Sequence, residues 1–404
     1  MASLRPITGW RTIGRMVSSG TDPVATASAL APEIRSYLEE IEAGRRLPQR
    51  LVESFRDAGI FRLLVPRSVG GLEVDPATLV RTIEALARED GAAGWCAMIG
   101  ATSGVVLAYF TEATAREVSS GGRSILGGVF HPRGRAVALV GGYRATGRWP
   151  FASGCEHSDW LLGGCMIFAA DGSSPRLRSD GTPEARMMLF RRRDVEVHDT
   201  WNVAGLRGTG SHDISVREVT VPAERSVWMS TDSVRERGPV YSFPVFGLLA
   251  LGIAAVALGI ARGAIDDLRD LAPQKVATGA RRSVAERATA QGEVARAEVL
   301  VEASRDHLLA RIDAAWRGVL AGRPIDLDAR ARLRLAATHA ARSAKEAVDA
   351  MFETAGGTAV YEASPLARRF RDIHVATQHV MVAPPTYEQI GRLLLGLPTD
   401  TELL

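Results

Sequence analysis

The sequence has few groups that would cross-link it or attach it to a nucleic acid. Only three cysteines occur in 404 residues, Cys96, Cys155 and Cys165, and none belongs to a CxxC pair. Three thiols cannot all pair within one chain, so the count predicts reduced cysteines and a cytoplasmic protein. The formal net charge is only +3 and the basic residues are scattered, so no nucleic-acid partner is expected.

Long apolar runs are also scarce. The N-terminus has no basic segment followed by an apolar core, so no signal peptide is expected. Residues 243–261 form one stretch of 19 positions without a charge. A membrane span needs roughly 20 such residues, but this stretch is diluted by glycine, alanine and Pro244. We find no second span and therefore expect a buried helix at the centre of a bundle, with no membrane partner.

Common nucleotide-binding and metal-binding signatures are absent. The sequence has no GxGxxG after a strand, no GxxxxGK[ST], no HExxH and no GxSxG. The closest histidines, His374 and His379, are five residues apart. On a helix this spacing turns through about 500°, which puts the two side chains on different faces, so no metal site is expected.

The first part of the chain is predicted to be helical. A loose polar leader covers residues 1–22, and residues 23–122 carry apolar residues at helical spacing. Asp75-Pro76 is a cap followed by proline, which predicts the start of a helix. Residues 91–110 are apolar nearly all round, which predicts a buried helix. We therefore expect an N-terminal helical domain.

The remaining chain divides into a β zone and a second helical zone. In residues 123–228, short β-branched or apolar runs alternate with Gly, Asp and Pro turns, which predicts a central antiparallel β-barrel or sandwich. Residues 229–404 are rich in alanine and predict long helices that form a bundle. The fold class is therefore α+β and multidomain, consistent with about 150 residues per domain.

Particular strings resemble the acyl-CoA dehydrogenase superfamily. They lie at residues 127–164 and 200–225 in the β zone, and at residues 354–380 and 387–397 in the last zone. The resemblance runs over residues 23–397 with the motifs in order. Within the superfamily, the chain most resembles the two-component, flavin-dependent monooxygenases, which include aromatic hydroxylases, dibenzothiophene monooxygenase and amino-sugar nitrososynthases.

This resemblance implies an architecture and a reaction. It implies an N-terminal helical domain, a central β domain and a C-terminal four-helix bundle, assembled as a homotetramer. It implies that a separate flavin reductase supplies FMNH2 or FADH2, since the chain has no nicotinamide fingerprint. O2 would add at C4a of the flavin and oxygenate a small organic substrate that is aromatic, heteroaromatic or an amine.

The string WPFASG resembles the segment that contacts the flavin ring in this family. Trp149 and Phe151 supply aromatic surface, Ser153 supplies a hydroxyl, and Gly154 lets the backbone approach the ring. By resemblance, Trp201 borders the same pocket. From the residues alone, a core tryptophan and a turn serine at a strand end remain an alternative.

The flavin phosphates are expected at the last zone. Arg281 and Gln291 resemble the family's phosphate-binding residues, and Gly356-Gly357 resembles a close-approach turn from a neighbouring subunit. The planar fork of arginine suits phosphate because it forms two charge-assisted hydrogen bonds. Arg282 is adjacent and could take the same role, and an arginine on a solvated helix face is the other open interpretation.

Chemistry distinguishes an oxygenase from a dehydrogenase here. Acyl-CoA dehydrogenation needs a carboxylate base, which in the commonest pattern lies nine residues after the position of Arg371, where this chain has Val380. Another branch carries the base on the first bundle helix, but residues 241–265 have no acidic side chain. By resemblance, His379 faces the N5/C4a edge of the flavin and manages protons near neutral pH. His379 and Ser153 are therefore the expected catalytic residues.

The substrate pocket is expected beside the buried N-terminal helix. Many relatives carry a histidine near residues 101–103, where this chain has Ala-Thr-Ser, so Thr102 or Ser103 is expected to face the ligand. Phe130 lies in the string that replaces the dehydrogenases' LTEPxAGSD and is placed in the same pocket. Two alternatives stay open: an acyl-CoA-dehydrogenase-like enzyme with an unrecognised base, and a catalytically silent flavin-binding scaffold.

Overall fold

A computed structural model describes residues 22–230, 233–276, 279–401 and 403–404. The leader predicted for residues 1–22 lies outside the described residues except for Asp22, which caps the first helix. The order of helical, β and helical zones is confirmed. Helices end at Ser119 before the first strand begins at Leu126, and the last strand ends at Val227.

The N-terminal zone is built from seven α-helices. The predicted start at Asp75-Pro76 is confirmed, because the Asp75 carboxylate accepts the N–H groups of the first helical turn. The buried helix predicted for residues 91–110 is α-helical only to Ser103 and continues as a 3₁₀ segment to Tyr109. The helices are α1 (Pro23–Ala29), α2 (Ala31–Ser36), α3 (Leu38–Gly44), α4 (Gln49–Asp57), α5 (Pro76–Glu89), α6 (Gly91–Ser103) and α7 (Glu112–Ser119).

The middle zone is one seven-stranded sheet with the strand order β5-β6-β2-β1-β3-β4-β7. All neighbours are antiparallel except β1 and β3, so the sheet is mixed rather than wholly antiparallel as expected. Since β2 runs antiparallel to β1, the end of β2 lies near the start of β1. Strand β3 also begins near the start of β1 and therefore runs parallel to it. The strands are β1 (Leu126–Leu139), β2 (Gly142–Ala152), β3 (Trp160–Phe168), β4 (Ala185–Arg191), β5 (Glu196–His198), β6 (His212–Pro222) and β7 (Ser226–Val227).

The C-terminal zone is a helical bundle around one apolar helix. That helix, α8, packs against α5 and α6 of the N-terminal zone and against three other bundle helices, α9, α10 and α11, so it joins the two helical zones. Its first part is the uncharged stretch of residues 243–261, which is buried as predicted. The helices are α8 (Val245–Leu271), α9 (Ala288–Leu320), α10 (Leu327–Ala355), α11 (Pro365–Ala376) and α12 (Pro385–Leu394).

Two helical segments of the described chain are long and apolar enough to cross a membrane. They are Gly91–Tyr109 and Val245–Leu271, so the expectation of a single such run is wrong. Within the most apolar window of each, 94% and 83% of the residues are buried inside the protein. Both segments therefore act as core helices in this structure.

Candidate active site

Trp149 is a core residue and not part of an open wall. Its side chain is 0% exposed inside the β zone, beside Phe190, and its Nε1–H donates to the carbonyl of Gly164 at 2.8 Å. The expectation that Trp149 offers a flat face to the flavin is therefore wrong, because no face of the indole is open. The interpretation as a core tryptophan is the correct one for this residue.

Phe151 is the aromatic residue of this segment that is open to a ligand. It is 69% exposed, and its backbone is left-handed with φ 65°. The pairing of β2 with β6 shifts register between Trp149 and Ala152, so the regular alternation of faces is broken there. The Phe151 ring meets the edge of Trp201 with the ring centres 6.2 Å apart.

Gly154 occupies a position that requires glycine. Its φ is 69°, and a Cβ atom there would lie 2.7 Å from Nε2 of His157. The Gly154 N–H donates to the carbonyl of Thr209 at 2.8 Å. This residue therefore holds the turn after β2 against the segment that precedes β6.

The hydroxyl of Ser153 lies in a buried hydrogen-bond chain. It accepts the Nε1–H of Trp95 on α6 at 3.0 Å and lies 2.7 Å from the hydroxyl of Ser211. Ser211 in turn lies 2.6 Å from the hydroxyl of Thr209. Ser153 remains 6% exposed, so a small part of its surface is open.

Trp95, Ser211 and Thr209 were not expected at the site from the sequence. Trp95 is the one large side chain in the run GAAGWCA, and a buried indole N–H needs a hydrogen-bond acceptor. The sequence could therefore predict a hydrogen-bond acceptor beside Trp95. No comparable signal marks Ser211 and Thr209. They contact each other locally, but the contact that joins them to the site is between Ser211 and Ser153, 58 residues apart in the sequence.

His379 lies between α11 and α12, with its ring centre 5.9 Å from the ring of Trp95. Its Nδ1 accepts the N–H of Met381 at 3.2 Å, so the proton of the neutral ring is on Nε2. Burial, and after it the charge of Arg334, lowers the pKa of His379 to about 4. The imidazole is neutral at neutral pH, so the chain's own groups do not support the expected proton exchange in that range.

Leu206 connects this group of residues to the bundle. Its backbone is left-handed, and its N–H donates to Oδ1 of Asp372 on α11 at 2.6 Å. Its carbonyl accepts the Nε1–H of Trp201 and the hydroxyl of Thr209. Burial, followed by the nearby charge of Asp90, raises the pKa of Asp372 to about 7. No sequence motif indicates these two buried carboxyls.

The predicted phosphate-binding residues are exposed and lie away from the buried core. Arg281 and Arg282 make no ion pair with any residue that the structure describes. Gln291, at the start of α9, donates its amide to the carbonyl of Ala285. Residues 277 and 278 of the same loop lie outside the described residues.

The turn Gly356-Gly357 is exposed, and a Cβ atom at either glycine would meet no atom within 4 Å. The Lys275 ammonium donates to the carbonyl of Ala355 and to the hydroxyl of Thr358, on either side of this turn. The base of the Arg281 loop and the glycine turn are therefore joined within one chain. The expectation that a neighbouring subunit supplies the turn stays a prediction.

The three residues expected in the substrate pocket occupy two places. Thr102 and Ser103 are buried at the end of α6, and the Thr102 hydroxyl donates to the carbonyl of Met98 at 2.8 Å. Thr102 therefore has no proton left for a ligand. Phe130 lies on β1 and packs edge-on against Phe246 of α8, with the ring centres 5.7 Å apart.

These features fit a flat heteroaromatic group such as a flavin ring. Phe151 provides an uncovered aromatic surface flanked by Trp201. Ser153 provides a hydroxyl, and His379 provides a neutral imidazole with its proton on Nε2. The indole of Trp95 touches both polar residues and so holds them on the same side of the site.

Comparison with known proteins identifies the family. Residues 25–118 match the family model described as acyl-CoA dehydrogenase, N-terminal domain, and residues 251–384 match the model of its C-terminal domain. The chain belongs to the acyl-CoA dehydrogenase family. Within this family it is a flavin-dependent monooxygenase of the two-component kind, as the following relatives indicate.

Two curated relatives and one solved structure are similar over nearly the whole chain. Indole-3-acetate monooxygenase of Pseudomonas putida is 33% identical over 90% of both chains. The flavin-dependent monooxygenase, oxygenase subunit HsaA, of Mycobacterium tuberculosis is 31% identical over 93% of this chain and 95% of the relative. XiaF from Streptomyces, solved with FADH2 and glycerol, has a TM-score of 0.86 and is 26% identical over 95% of this chain and 97% of that chain.

Proposed function

We propose that this monooxygenase inserts one oxygen atom of O2 into a small aromatic or heteroaromatic substrate. The observation that carries the proposal is the uncovered Phe151 ring beside the Ser153–Trp95–His379 group. The relatives support the substrate class, because one is named for indole-3-acetate and another is a resorcinol hydroxylase. A separate reductase supplies the reduced flavin.

Each residue has a distinct part in the proposed reaction. Bound reduced flavin supplies the electrons that reduce dioxygen. Phe151 and Trp201 hold the ring by aromatic contact, and Ser153 binds its polar edge. The Nε2–H of His379 donates a hydrogen bond into the space where oxygen is transferred, and the apolar surroundings keep water away. Thr102, Ser103 and Phe130 are proposed to line the substrate pocket.

The proposal includes the cofactor's phosphate end. Arg281, which has no described carboxylate partner, is proposed to bind phosphate together with the open turn at Gly356-Gly357. Gln291 contributes an amide near the base of the same loop. This end would accept FMN or FAD, since the residues offer only phosphate contacts.

We also propose that the protein is a homotetramer in the cytoplasm. Several large apolar side chains on the bundle are exposed, and neighbouring chains would cover them in such an assembly. They include Val299, Leu320, Val360, Tyr361, Val380, Leu394 and Leu395. The three cysteines are free and buried, which suits a reducing compartment. Light scattering at micromolar concentration should give four chains, and a monomer would contradict the assembly.

The test is incorporation of labelled dioxygen. The protein, a flavin reductase, NADH and FMN or FAD are incubated under ¹⁸O₂ with indole-3-acetate, resorcinol and related phenols. We expect one labelled atom in the product, and only when the reductase is present. No product from any member of the panel, with reduction of bound flavin by acyl-CoA, would support the dehydrogenase alternative instead.

The residue at the position of the dehydrogenases' catalytic base favours the oxygenase over the dehydrogenase. Val380 stands there, 65% exposed and without an ionisable group. Acyl-CoA dehydrogenation requires a positioned base, and the commonest pattern has a carboxylate at this position. A silent scaffold would bind flavin but give neither product nor acyl-CoA oxidation, so the same experiment separates all three functions.

A further inference from the structure

An open pocket lies between the N-terminal zone and the sheet, and it includes no residue of the candidate active site. Its volume is about 490 Å³, which is within the range of small-ligand pockets. One face of α4, the turn between β2 and β3, and the end of β4 with the residues after it form the walls. The charged lining consists of four arginines and two carboxylates: Arg56, Arg191, Arg192, Arg193, Glu156 and Asp159.

Both carboxylates of the pocket already have cationic partners. Glu156 pairs with Arg46, which is outside the lining, at 3.2 Å. Asp159 lies 3.4 Å from Nη2 of Arg56. His157, also in the lining, adds no charge at neutral pH, because burial, and after it the charge of Arg56, lowers its pKa to about 4. The carboxylates are therefore not free to neutralise the arginines at the end of β4.

Arg191 has only part of a counter-charge. Its Nη2 and that of Arg225 lie 2.7 and 2.6 Å from the same oxygen of Glu117, so one negative charge serves two guanidinium groups. Both groups also lie over the ring of Trp160, at 4.7 and 5.1 Å from its centre. The ring and the carboxylate together fix the position of Arg191 before any ligand binds.

Arg192 and Arg193 have still less compensation. Arg192 donates to the carbonyl of Val195 at 2.9 Å and forms no ion pair with any residue that the structure describes. The only ion pair of Arg193 within the described chain is with Asp194, at 3.9 Å. An arginine has five N–H donors, so both side chains keep donors for an anion.

We propose that this pocket binds the phosphate group of a small ligand, at a site separate from the candidate active site. A phosphate monoester carries about 1.5 to 2 negative charges at pH 7 and three acceptor oxygens. Arginine forks from two walls, α4 and the end of β4, suit such a group because each can form two charge-assisted hydrogen bonds. A carboxylate offers only one charge and two oxygens, and would leave more of the arginine charge uncompensated.

Isothermal titration calorimetry with inorganic pyrophosphate, at constant ionic strength, tests the site. We expect Arg192→Gln to raise the dissociation constant by about 10-fold, through loss of a hydrogen bond between charged groups. Arg193→Gln should raise it by about 3-fold, because this side chain is 76% exposed and water screens its charge. The fold does not depend on so exposed a side chain, so the second variant keeps the test valid if the first is unstable.

Arg217→Gln is the matched control, since it removes the same charge elsewhere. Arg217 is an exposed arginine of β6 outside the pocket. Its dissociation constant should equal that of the unchanged protein. Arg281→Gln should also leave it unchanged, which excludes binding at the phosphate site proposed for the flavin.

Three results would overturn the proposal. One is no binding of pyrophosphate by the unchanged protein at millimolar concentration. Another is an equal dissociation constant in Arg192→Gln, Arg193→Gln and the Arg217→Gln control, with all three folded by circular dichroism. The third is loss of binding in Arg281→Gln while Arg192→Gln binds normally, which would assign the anion to the flavin site.

Discussion

Two aromatic side chains, two residues apart, have opposite environments. In a regular strand residues i and i+2 point to the same face, so Trp149 and Phe151 would share one. The register shift after Trp149 and the left-handed backbone at Phe151 break this rule. Trp149 is therefore inside the sheet's core, and Phe151 is outside it.

Substitution of Trp149 should mainly affect stability, whereas substitution of Phe151 should mainly affect flavin binding. Trp149→Phe leaves the carbonyl of Gly164 without its indole partner, and we expect a loss of about 2 kcal/mol in the free energy of unfolding. Phe151→Ala should change the unfolding free energy by less than about 0.5 kcal/mol, because the ring is largely exposed. Phe151→Ala should instead weaken reduced-flavin binding by about 5-fold, through loss of an aromatic contact.

Thermal unfolding and flavin titration of both variants check this pair. If Trp149→Phe weakened flavin binding as much as Phe151→Ala without loss of stability, Trp149 would contact the flavin as the sequence predicts. The two measurements together therefore decide which aromatic residue meets the ligand.

His379→Ala should separate oxygen consumption from product formation. Removing the Nε2–H donor should lower substrate oxygenation by about 10²- to 10³-fold, as is usual for the loss of one preorganised hydrogen-bond donor, while hydrogen peroxide release rises. Since the pKa of His379 is about 4, the unchanged protein should keep the same ratio of product to oxygen consumed between pH 6 and 8. Product and peroxide are measured together under excess reductase.

His374→Ala is the control for this prediction. His374 is five residues away on α11, and its Nε2 lies 2.8 Å from Oδ1 of Asp349. It should leave the coupling of oxygen to product intact. A coupling ratio that changed equally in both variants, or one that changed with a midpoint near pH 6.5 in the unchanged protein, would contradict the role given to His379.

Local signals in the sequence predict many residues of this structure but not their partners. The cap at Asp75 and the buried helix after Asp90 follow from short-range chemistry, and both are confirmed. Ser153 was singled out by resemblance, but its partners Ser211 and Trp95 come from elements distant in sequence. The break in strand alternation at Phe151 comes from a register shift that the residue pattern does not predict. For this reason the sequence wrongly predicts that Trp149, and not Phe151 alone, is open to the flavin.

Among the elements, α8 owes its central position to small residues. A Cβ atom on Gly259 would lie 2.5 Å from the carbonyl oxygen of Glu84 on α5. The two helices therefore touch through their backbones at this point. Most of α8 is buried, so larger side chains here would push the N-terminal zone away from the bundle.

Two glycine-to-alanine changes should move stability in opposite directions. Gly259→Ala must separate α5 from α8, and we expect a loss of about 1–3 kcal/mol from overpacking. Gly292→Ala, in α9, meets no atom within 4 Å. It should add about 0.5–1 kcal/mol, because alanine favours a helix more than glycine does. Denaturant unfolding measures both, and equal effects would show that α5 and α8 are not in backbone contact.

At the scale of the whole molecule, Leu206 and Asp372 join the β zone to both helical zones. Asp372 lies on α11, accepts the N–H of Leu206 and has the charge of Asp90, the cap of α6, beside it. The pKa of Asp372 is raised from its ordinary 3.8 to about 7. The folded chain thus keeps a proton between about pH 4 and 7 that the unfolded chain releases, so this carboxyl lowers stability as the pH rises through that range.

Asp372→Asn should remove this pH dependence. Asparagine can still accept the Leu206 N–H but never ionises, so the variant should match the unchanged protein below about pH 3.8 and exceed its stability at pH 8. The gain should be on the order of a few kcal/mol, at about 1.4 kcal/mol for each pKa unit. Unfolding curves between pH 4.5 and 8 measure it.

Asp326→Asn provides the comparison. Asp326 is an exposed cap of α10, and asparagine caps a helix as well as aspartate does. Its stability should follow the unchanged protein at every pH. If the stability of Asp372→Asn also equalled that of the unchanged protein at every pH, Asp372 would be ionised throughout the range and its pKa would not be raised.

The candidate site is assembled from residues far apart in the sequence, which determines how it is lost when the protein partly unfolds. Trp95, Ser153, Leu206 and His379 belong to four separate stretches, and each depends on contacts that only the assembled zones provide. When one zone separates from the others, these four residues lose their common position at the same time. Local unfolding of any single zone should therefore abolish the whole site rather than alter one of its contacts.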